Sequence, residues 1–356
     1  MPDLFKDILS AEESIFLNPQ FLDYDYIPKM IMYRENEQQY IATAIKPLLQ
    51  GRNGKNLLIK GGPGIGKTAG VKHVLKELEE EFGNEVYCIY INCWKKDTTF
   101  KIILEICLQL KYKWIQNKNS DQLLSEICEI LNEKAAVIVL DEIDKLEDDG
   151  IIYSLLEDLK RKTLILITNR EDFLVTLDDR IRSRLTPDVL DFQSYNMNET
   201  EGILKQRLEY VFVANTFDNS AFLRIAEKTF EVKDIRSGLF LMKESGEIAE
   251  SKSLRKINIA EAEQAISKLE EFKLKKEDVF ENEDNELIEL IKNNSGKTMT
   301  ELFDIYKEKE GKSYKTLQRK LKYLEKSGLI LLKENNKGSG RIFTVEYNNK
   351  TLNEFS

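Results

Sequence analysis

Residues 56–70 read NLLIKGGPGIGKTAG, an apolar run that passes directly into a glycine-rich stretch. The spacing of Gly61, Gly66, Lys67 and Thr68 matches G-x-x-x-x-G-K-[ST], a loop whose backbone N–H groups cradle phosphates. The run before the loop suits a buried strand, and a helical pattern begins at Lys67. A chance turn is the alternative, but strand, loop and helix in this order predict a phosphate-bearing ligand at a helix N-terminus.

The composition is that of an ordinary globular protein with two or three domains. The chain has 356 residues, of which 42% are hydrophobic. No apolar run approaches the ~20 residues of a membrane span, and residues 1–13 lack the pattern of a signal peptide. The four cysteines form no C-x-x-C pair, and the only histidine, His73, is expected to have a solvent or packing role. We therefore expect a cytoplasmic protein with no membrane partner and no zinc site, whose general bases are carboxylates.

Strand-like and helical patterns alternate over the first half of the chain, which indicates a mainly parallel sheet covered by helices. From residue 198 to about residue 269 only helical patterns remain, so we predict a small all-helical second domain. Residues 270–286 are highly charged and are interpreted as a helix end and a linker to a third domain. The predicted strands are residues 56–60, 86–92, 135–140, 163–168 and 189–192.

Two acidic residues, Asp141 and Glu142, directly follow the most apolar predicted strand, residues 135–140. In phosphate-loop enzymes an aspartate at this edge helps to hold Mg²⁺ beside the loop hydroxyl, here Thr68, and the next acid polarises water. Acid pairs also occur on plain surfaces, but an apolar strand aims this pair at the ligand-binding crevice. Asn169 follows another strand, and it is either a hydrogen-bond partner of the phosphate or water, or only a turn former.

Arginines are concentrated in two later segments. Arg180, Arg182 and Arg184 spread around one short helical stretch, and guanidinium groups suit phosphates because they form bidentate hydrogen bonds. A solvated helix end is the alternative for these three residues. Arg236 begins an amphipathic helix of the helical domain, from which its side chain could reach back to the nucleotide.

The C-terminal region predicts a winged-helix domain, because three short helical patterns precede a two-stranded ribbon over residues 329–347. Residues 312–341 contain nine lysines and arginines against two glutamates, although the whole chain has a formal net charge of −9. This basic set indicates DNA, and the alternatives are a solvated face or a winged helix that binds proteins. Residues 111–118, KYKWIQNK, are either a further DNA contact or a plain surface loop. The candidate DNA-binding residues are Lys315, Arg319, Lys322, Lys326, Lys337 and Arg341.

The order of these motifs resembles that of the AAA+ ATPases, and specifically the archaeal replication initiators related to the origin recognition complex and the cell division control helicase loader. The individual motifs are shared by all AAA+ proteins, whereas their combination with a C-terminal winged helix is more specific. The resemblance covers nearly the whole chain, and its main segments are GGPGIGKT (61–68), VIVLDEID (137–144), LITN (166–169), RIRSRL (180–185) and DIRSGLFLMKESGEIAE (234–250).

The resemblance implies an α/β fold in which a P-loop parallel-sheet base, residues 1–192, carries a helical lid, residues 193–275. A winged-helix DNA-binding domain follows over residues 280–350. This chain departs from the family just ahead of Arg236, the implied second sensor. It has Lys233 and Asp234 where the family often has Gly-Asp.

Functional roles are also implied by position. Glu142 becomes the residue that acts on water, Asn169 the first sensor and Arg236 the second sensor, while Arg184 or Arg180 is the arginine finger. Thr68 and Asp141 would hold the metal. The implied nucleotide contacts are Tyr26, Ile27, Gly61, Gly64, Ile65, Gly66, Lys67, Thr68, Tyr195 and Arg207.

The function implied by the resemblance is that of a slow, switch-like ATPase that binds ATP or ADP with Mg²⁺. Its expected partners are double-stranded DNA at a replication origin, the replicative helicase that it helps to load, and other initiator subunits. An ATP-controlled transcription regulator with the same modules is the main alternative. A clamp loader or remodelling enzyme of the same class should lack the basic winged helix.

Overall fold

The computed structural model describes residues 14–24, 26–310, 313–326, 330–336 and 341–347. The chain forms two compact units, residues 1–267 and 268–356. No helix in the described ranges is both long and apolar enough to cross a membrane.

In chain order the strands and helices are α1 (Glu35–Ile45), β1 (Leu57–Lys60), α2 (Lys67–Phe82), β2 (Val86–Asn92), α3 (Thr99–Gln109), α4 (Ser120–Leu131), β3 (Ala135–Asp141), α5 (Gly150–Asp158), β4 (Lys162–Thr168), α6 (Phe173–Thr176), α7 (Asp179–Leu185), β5 (Asp188–Asp191), α8 (Met197–Val211), α9 (Asn219–Val232), α10 (Ile235–Ser251), α11 (Ile259–Asn293), β6 (Lys297–Thr298), α12 (Met299–Glu310), α13 (Tyr314–Lys326), β7 (Ile330–Asn336) and β8 (Arg341–Tyr347).

The five strands β1–β5 form one parallel sheet in the order β2-β3-β4-β1-β5. Every residue of β3 is buried. Ala136, Ile138 and Leu140 belong to one apolar core and Val137 and Val139 to the other, because strand side chains alternate between the two faces. Helices therefore cover both faces, and the predicted parallel α/β base is confirmed.

The helical part of the first unit consists of α8, α9, α10 and the beginning of α11. Lys233 ends α9 with a left-handed backbone (φ 58°), a conformation that favours glycine at this position. This left-handed backbone explains why the family that the chain resembles often has glycine, followed by aspartate, at these two positions. The side chain of the next residue, Asp234, caps α10 by accepting a hydrogen bond from the N–H of Arg236 at 2.9 Å.

α11 continues through all of the charged residues 270–286, so the helix does not end there as the sequence suggested, and their role as a linker stays a prediction. This stretch contains no glycine or proline and is rich in glutamate and lysine, which are good helix formers. High charge alone was therefore a poor guide to where the helix ends. The boundaries at residues 192, 275 and 280 stay predictions.

The second unit has the winged-helix order of elements. The end of α11, β6, α12 and α13 precede the antiparallel hairpin of β7 and β8, and the three strands pair in the order β6-β8-β7. Leu317, Leu321 and Leu324 of α13 are buried in the apolar core of this unit. The helical periodicity of the sequence predicts one apolar stripe formed by Tyr314, Leu317, Leu321 and Leu324, but Tyr314 is 38% exposed and packs edge-on against Phe303.

Candidate functional site

The candidate site lies where the carboxyl ends of β3, β4 and β1 meet, because these strands are neighbours in the sheet. A cavity of about 390 Å³ opens there between the sheet edge, the loop after β1, the N-terminal segment and helices α8 and α10. Gly61 lies at the start of that loop. The predicted residues that line the cavity are Tyr26, Ile27, Gly64, Ile65, Gly66, Lys67, Thr68, Asp141, Glu142, Asn169, Tyr195, Arg207 and Arg236.

Two glycines of the loop have a left-handed backbone and no space for a side chain. Gly64 (φ 66°) packs against the Asp234 carboxylate, which a β-carbon would overlap. At Gly66 (φ 91°) a β-carbon would lie 2.5 Å from the hydroxyl of Tyr195. Glycine is therefore required here both by the backbone conformation and by the close packing around the loop.

Lys67 is the first residue of α2 and is 7% exposed. Its ammonium group donates to the carbonyl oxygens of Gly61 (2.8 Å) and Gly62 (2.6 Å) and to Oδ1 of Asn169 (2.8 Å). Burial lowers the pKa of Lys67 from 10.5 to about 8, and this effect outweighs the opposing influence of the Asp141 carboxylate. A phosphate group next to Lys67 would favour the charged form of the lysine and raise its pKa again.

We therefore expect ADP binding at pH 8 to be accompanied by proton uptake. With a pKa of about 8, Lys67 of the free protein is roughly half protonated at pH 8, and phosphate contact should make it fully charged. Lys67 should contribute about half a proton of uptake at pH 8 and close to none at pH 6.5, where it is already charged in the free protein. Calorimetry in buffers of different ionisation enthalpy measures it, and a binding enthalpy at pH 8 that does not depend on the buffer would contradict the prediction.

Asp141 ends β3, is 2% exposed, and accepts hydrogen bonds on both carboxylate oxygens. Its Oδ2 accepts from the hydroxyl groups of Thr68 (2.6 Å) and Tyr90 (2.7 Å), and its Oδ1 accepts from the N–H of Glu142 (2.9 Å). The loop hydroxyl and the strand-end carboxylate, which the sequence assigned to one metal, are thus in direct contact. Such hard oxygen donors suit Mg²⁺.

Glu142 lines the same cavity and has a left-handed backbone (φ 55°, ψ 43°). Such backbone strain in a residue with a side chain is characteristic of functional sites. The pKa of Glu142 is raised by burial and by the neighbouring carboxylates of Asp141 and Asp144. A carboxylate with a raised pKa beside the phosphate loop is suited to accept a proton from water.

Arg236 reaches the cavity from the beginning of α10, and the capping residue of that helix, Asp234, holds its side chain. Its Nε and Nη2 donate to Oδ1 (3.1 Å) and Oδ2 (2.9 Å) of Asp234 in a bidentate pair. The N–H of Ile235 donates to the carbonyl oxygen of Gly64 at 3.2 Å. The candidate second sensor is therefore fixed directly beside the phosphate loop.

Tyr26, Ile27 and Arg207 form a part of the cavity wall that combines an aromatic ring, an aliphatic side chain and a guanidinium stacked near the ring. Arg207 is 8% exposed, donates to the carbonyl oxygen of Phe21 at 3.1 Å, and lies 5.0 Å from the centre of the Tyr26 ring. A flat ring and an aliphatic side chain suit the faces of a nucleobase, whereas the loop offers backbone amides for phosphates. The two parts together match the two ends of a nucleotide.

The two candidate finger residues, Arg180 and Arg184, do not line the cavity. Arg184 forms an ion pair with Glu157 and lies 5.0 Å from the centre of the Tyr153 ring. Within the described ranges, the exposed guanidinium of Arg180 has no hydrogen bond or ion pair. Both residues are on the short helix α7, away from the cavity of their own chain.

Sequence reasoning missed two polar residues and the contact of a third. Tyr90 lies on β2 and donates to Asp141, but only the pairing of β2 with β3 reveals this. Arg34, just ahead of α1, contacts the back of the phosphate loop. The imidazole Nε2 of His73 is 2.8 Å from the carbonyl oxygen of Lys29, so His73 tethers α2 to the N-terminal segment.

The predicted DNA-binding residues belong to the second unit, residues 268–356. Lys315 and Arg319 are exposed on α13, on positions other than the buried leucine positions. The side chains of Lys322, Lys326 and Arg341 are not described, and Lys337 lies outside the described residues.

Comparison with known proteins agrees with this architecture. A family model described as an AAA domain matches residues 50–177. The ORC1-type DNA replication protein of Pyrococcus horikoshii is 31% identical over 290 residues, which cover 76% of this chain and 69% of that protein.

Two solved structures from Aeropyrum pernix share the fold. The structure of the ORC1 protein in complex with DNA has a TM-score of 0.69 and 23% identity and covers 94% of each chain. The ORC2 protein in ADPNP–ADP complexes has a TM-score of 0.64 and 19% identity, covering 93% of this chain and 94% of that one.

The motifs, the fold and the nucleotide-sized cavity thus agree with a relative that aligns over three quarters of the chain. The chain is an AAA+ ATPase and belongs to the family of ORC1-type DNA replication proteins.

Proposed function

We propose that this protein is an ATP-dependent DNA replication initiator, which binds duplex DNA at a replication origin and assists the loading of the replicative helicase. The observation that carries the proposal is the combination, in one ORC1-type chain, of a complete phosphate-loop site with a winged helix that exposes basic residues. The Aeropyrum pernix ORC1 protein, which shares the fold over nearly the whole chain, was solved in complex with DNA. Other initiator subunits are expected as further partners.

Magnesium is the metal that the nucleotide site fits best. The hydroxyl of Thr68 and the carboxylate of Asp141 would hold it together with the phosphates, because Mg²⁺ sites of this kind use few protein ligands. The described residues contain no group of three or more His, Cys, Asp or Glu side chains that would form an all-protein metal site. When bound, the ion neutralises charge on the phosphates, while Glu142 accepts the proton of the attacking water.

The contacts between α10 and the loop supply a route from nucleotide to lid. Because Ile235 bonds to Gly64 and Arg236 lines the cavity, phosphates on the loop would also meet the first turn of α10. ATP and ADP differ in the terminal phosphate, so they should favour different positions of this helix. We infer that the nucleotide acts as a switch rather than as fuel for continuous motion.

The duplex is expected to contact α13. Lys315 and Arg319 are separated by one helical turn and are exposed, while Leu317 and Leu321 face the core. A helix of this kind places cations along phosphates or at base edges in the major groove. Trp114, which is 76% exposed in the loop between α3 and α4 and follows Lys113, is a second candidate contact on the first unit.

Replacing Lys315 and Arg319 together by alanine should weaken duplex binding roughly 60-fold at 0.1 M salt. Each lost phosphate contact lowers the slope of log K against log salt by about 0.9, so the double variant should flatten the slope by about 1.8. A salt titration of labelled origin duplex with the full-length proteins measures both effects.

The matched control changes two exposed lysines of the first unit, Lys46 and Lys76, to alanine, and it should leave affinity and slope near the wild-type values. ATP binding should survive in both double variants. If Lys315→Ala with Arg319→Ala binds duplex like the wild type, α13 does not contact DNA, and a protein-docking role becomes the better account.

The origin part of the proposal is tested by mapping the bound DNA across the host genome. One or a few sites at replication starts are expected. Binding spread over many promoters would contradict it and favour a transcription regulator. Helicase loading is tested separately, by ATP-dependent recruitment of the purified replicative helicase to origin DNA.

A further inference from the structure

Arg34 is an almost fully buried arginine at the junction of three segments. It precedes α1, is only 4% exposed, and does not line the nucleotide cavity. Arginine is almost never buried to this degree unless its guanidinium is fully engaged. Its surroundings are therefore informative about what this charge does.

The guanidinium of Arg34 connects the phosphate loop with the chain that leaves the sheet. Its Nε and Nη2 donate to the carbonyl oxygen of Ile65 at 3.1 and 3.0 Å, and Nη2 also donates to the carbonyl oxygen of Gln193 at 2.5 Å. Nη1 pairs with Glu37 at 2.9 Å. One face lies 3.9 Å from the centre of the Tyr195 ring, which lines the cavity.

The hydrogen bonds from Arg34 to the carbonyl oxygen of Ile65 also orient the backbone N–H of the next residue, Gly66. The carbonyl of Ile65 and the N–H of Gly66 belong to one planar trans peptide, so they point in opposite directions. Because Arg34 draws the carbonyl toward itself, the Gly66 N–H is turned away from Arg34. Gly66 lines the cavity and Arg34 does not, so the turned N–H belongs to the side on which phosphate would bind.

A second carbonyl of the loop is held in a similar way. The oxygen of Gly64 accepts a hydrogen bond from the N–H of Ile235 at the start of α10. Residues outside the loop thus orient two successive peptide groups of it. Ile235 of α10 holds the group between Gly64 and Ile65, and Arg34 holds the group between Ile65 and Gly66. Glycines at positions 64 and 66 leave this loop little intrinsic preference, so external contacts must select its conformation.

We propose that Arg34 is a positioning residue that orients the phosphate-loop amides and couples them to the base–lid connection at Gln193 and Tyr195. This inference rests on the nucleotide site of the proposed function. Binding of phosphates should stabilise the loop conformation in which Ile65 and Gln193 share one donor group. Arg34 thereby joins the state of the loop to the position at which the chain enters the lid.

Arg34→Lys tests this, because lysine keeps the charge but lacks the planar fork that serves two carbonyl oxygens at once. We expect ADP affinity of the full-length protein to fall about tenfold to a hundredfold, since charge-assisted contacts that set the donor geometry are lost. Fluorescent ADP, titrated well below the melting temperature of each variant, provides the affinity. Arg34→Gln is a second, neutral variant in case lysine does not fold.

Glu37→Gln is the matched control, because it removes the ion pair but leaves every contact of Arg34 with the loop and Gln193. Its ADP affinity should stay within about twofold of the wild type, as expected when only the second partner of a satisfied group changes. Adenosine, measured as a competitor at millimolar concentration, should lose little affinity in Arg34→Lys because it has no phosphate for the loop.

The outcomes separate the two proposals. Unchanged ADP affinity in a folded Arg34 variant would overturn the positioning role, and so would an equal loss for ADP and adenosine or an equal loss in Glu37→Gln. A wild-type protein that fails to bind ADP would contradict the nucleotide site itself. A selective loss of ADP affinity in the Arg34 variants alone supports the inference.

Discussion

Lys67→Ala should reduce ATP and ADP affinity at least ~100-fold, whereas Glu142→Gln should bind ATP normally and lose most of its hydrolysis. Lys67 is the buried cation of the phosphate loop, and a buried charged contact to phosphate is worth several charge-assisted hydrogen bonds. Glu142 has no such binding role, and its raised pKa suits proton transfer from water, which contributes ~10²–10⁴-fold in rate. Equilibrium binding and single-turnover hydrolysis measure the two effects separately.

The controls come from the same elements. Lys76 is on α2 with Lys67 but is exposed, and Glu147 follows β3 without lining the cavity. Lys76→Ala and Glu147→Gln should therefore bind and hydrolyse ATP like the wild type. Equal loss of ATP affinity in folded Lys67→Ala and Glu142→Gln would show that the two roles are wrongly assigned.

Arg180→Ala or Arg184→Ala should lower ATP hydrolysis by up to ~10³-fold under conditions in which the wild type assembles. The residues are outside the cavity of their own chain, so we propose that one of them acts on the nucleotide of a neighbouring copy. Arg180 is exposed and unpaired among the described contacts, whereas Arg184 would have to leave Glu157. Steady-state hydrolysis against protein concentration measures the effect.

Mixing distinguishes a trans role from damage within one chain. A finger variant mixed with Lys67→Ala protein should recover part of the activity, because the intact finger of one chain meets the intact loop of the other. Arg182→Ala is the control, since its guanidinium bonds to Asp179 on the same helix. If neither Arg180→Ala nor Arg184→Ala changes hydrolysis while the wild type is assembled, the trans role is wrong.

The base of this protein is predictable from sequence because each of its signals is local. The loop motif fixes Gly61–Thr68 between a strand and a helix, and the apolar run of β3 ends directly at Asp141. Parallel strands put their carboxyl ends at one edge of the sheet. The acid at the end of β3, Asp141, and the amide after β4, Asn169, therefore had to lie close to the loop. Helical periodicity likewise identified Leu317, Leu321 and Leu324 of α13 as buried, whereas Tyr314 of the same stripe is 38% exposed.

Contacts between distant segments could not be predicted in this way. Tyr90 reads as one more residue of a buried strand, and its hydrogen bond to Asp141 depends on which strand lies next to β3. Nothing in the local sequence distinguishes Arg34 from a surface arginine ahead of a helix. Its role depends on contacts with Ile65 and Gln193, which only the fold brings close to it. For residues 270–286 it was the local signal that misled, because their high charge suggested a helix end within a stretch through which α11 continues.

The contact between the His73 imidazole and the carbonyl oxygen of Lys29 can be followed directly by NMR. A chain with one imidazole has a single set of histidine ring resonances, which can be followed by NMR without site-specific assignment. The ring is attached to the helix of the phosphate loop, and its Nε2 touches the segment that continues from Tyr26 and Ile27. Its chemical shift therefore reports whether the contact between α2 and that segment is kept when nucleotide is added, and it requires no introduced label.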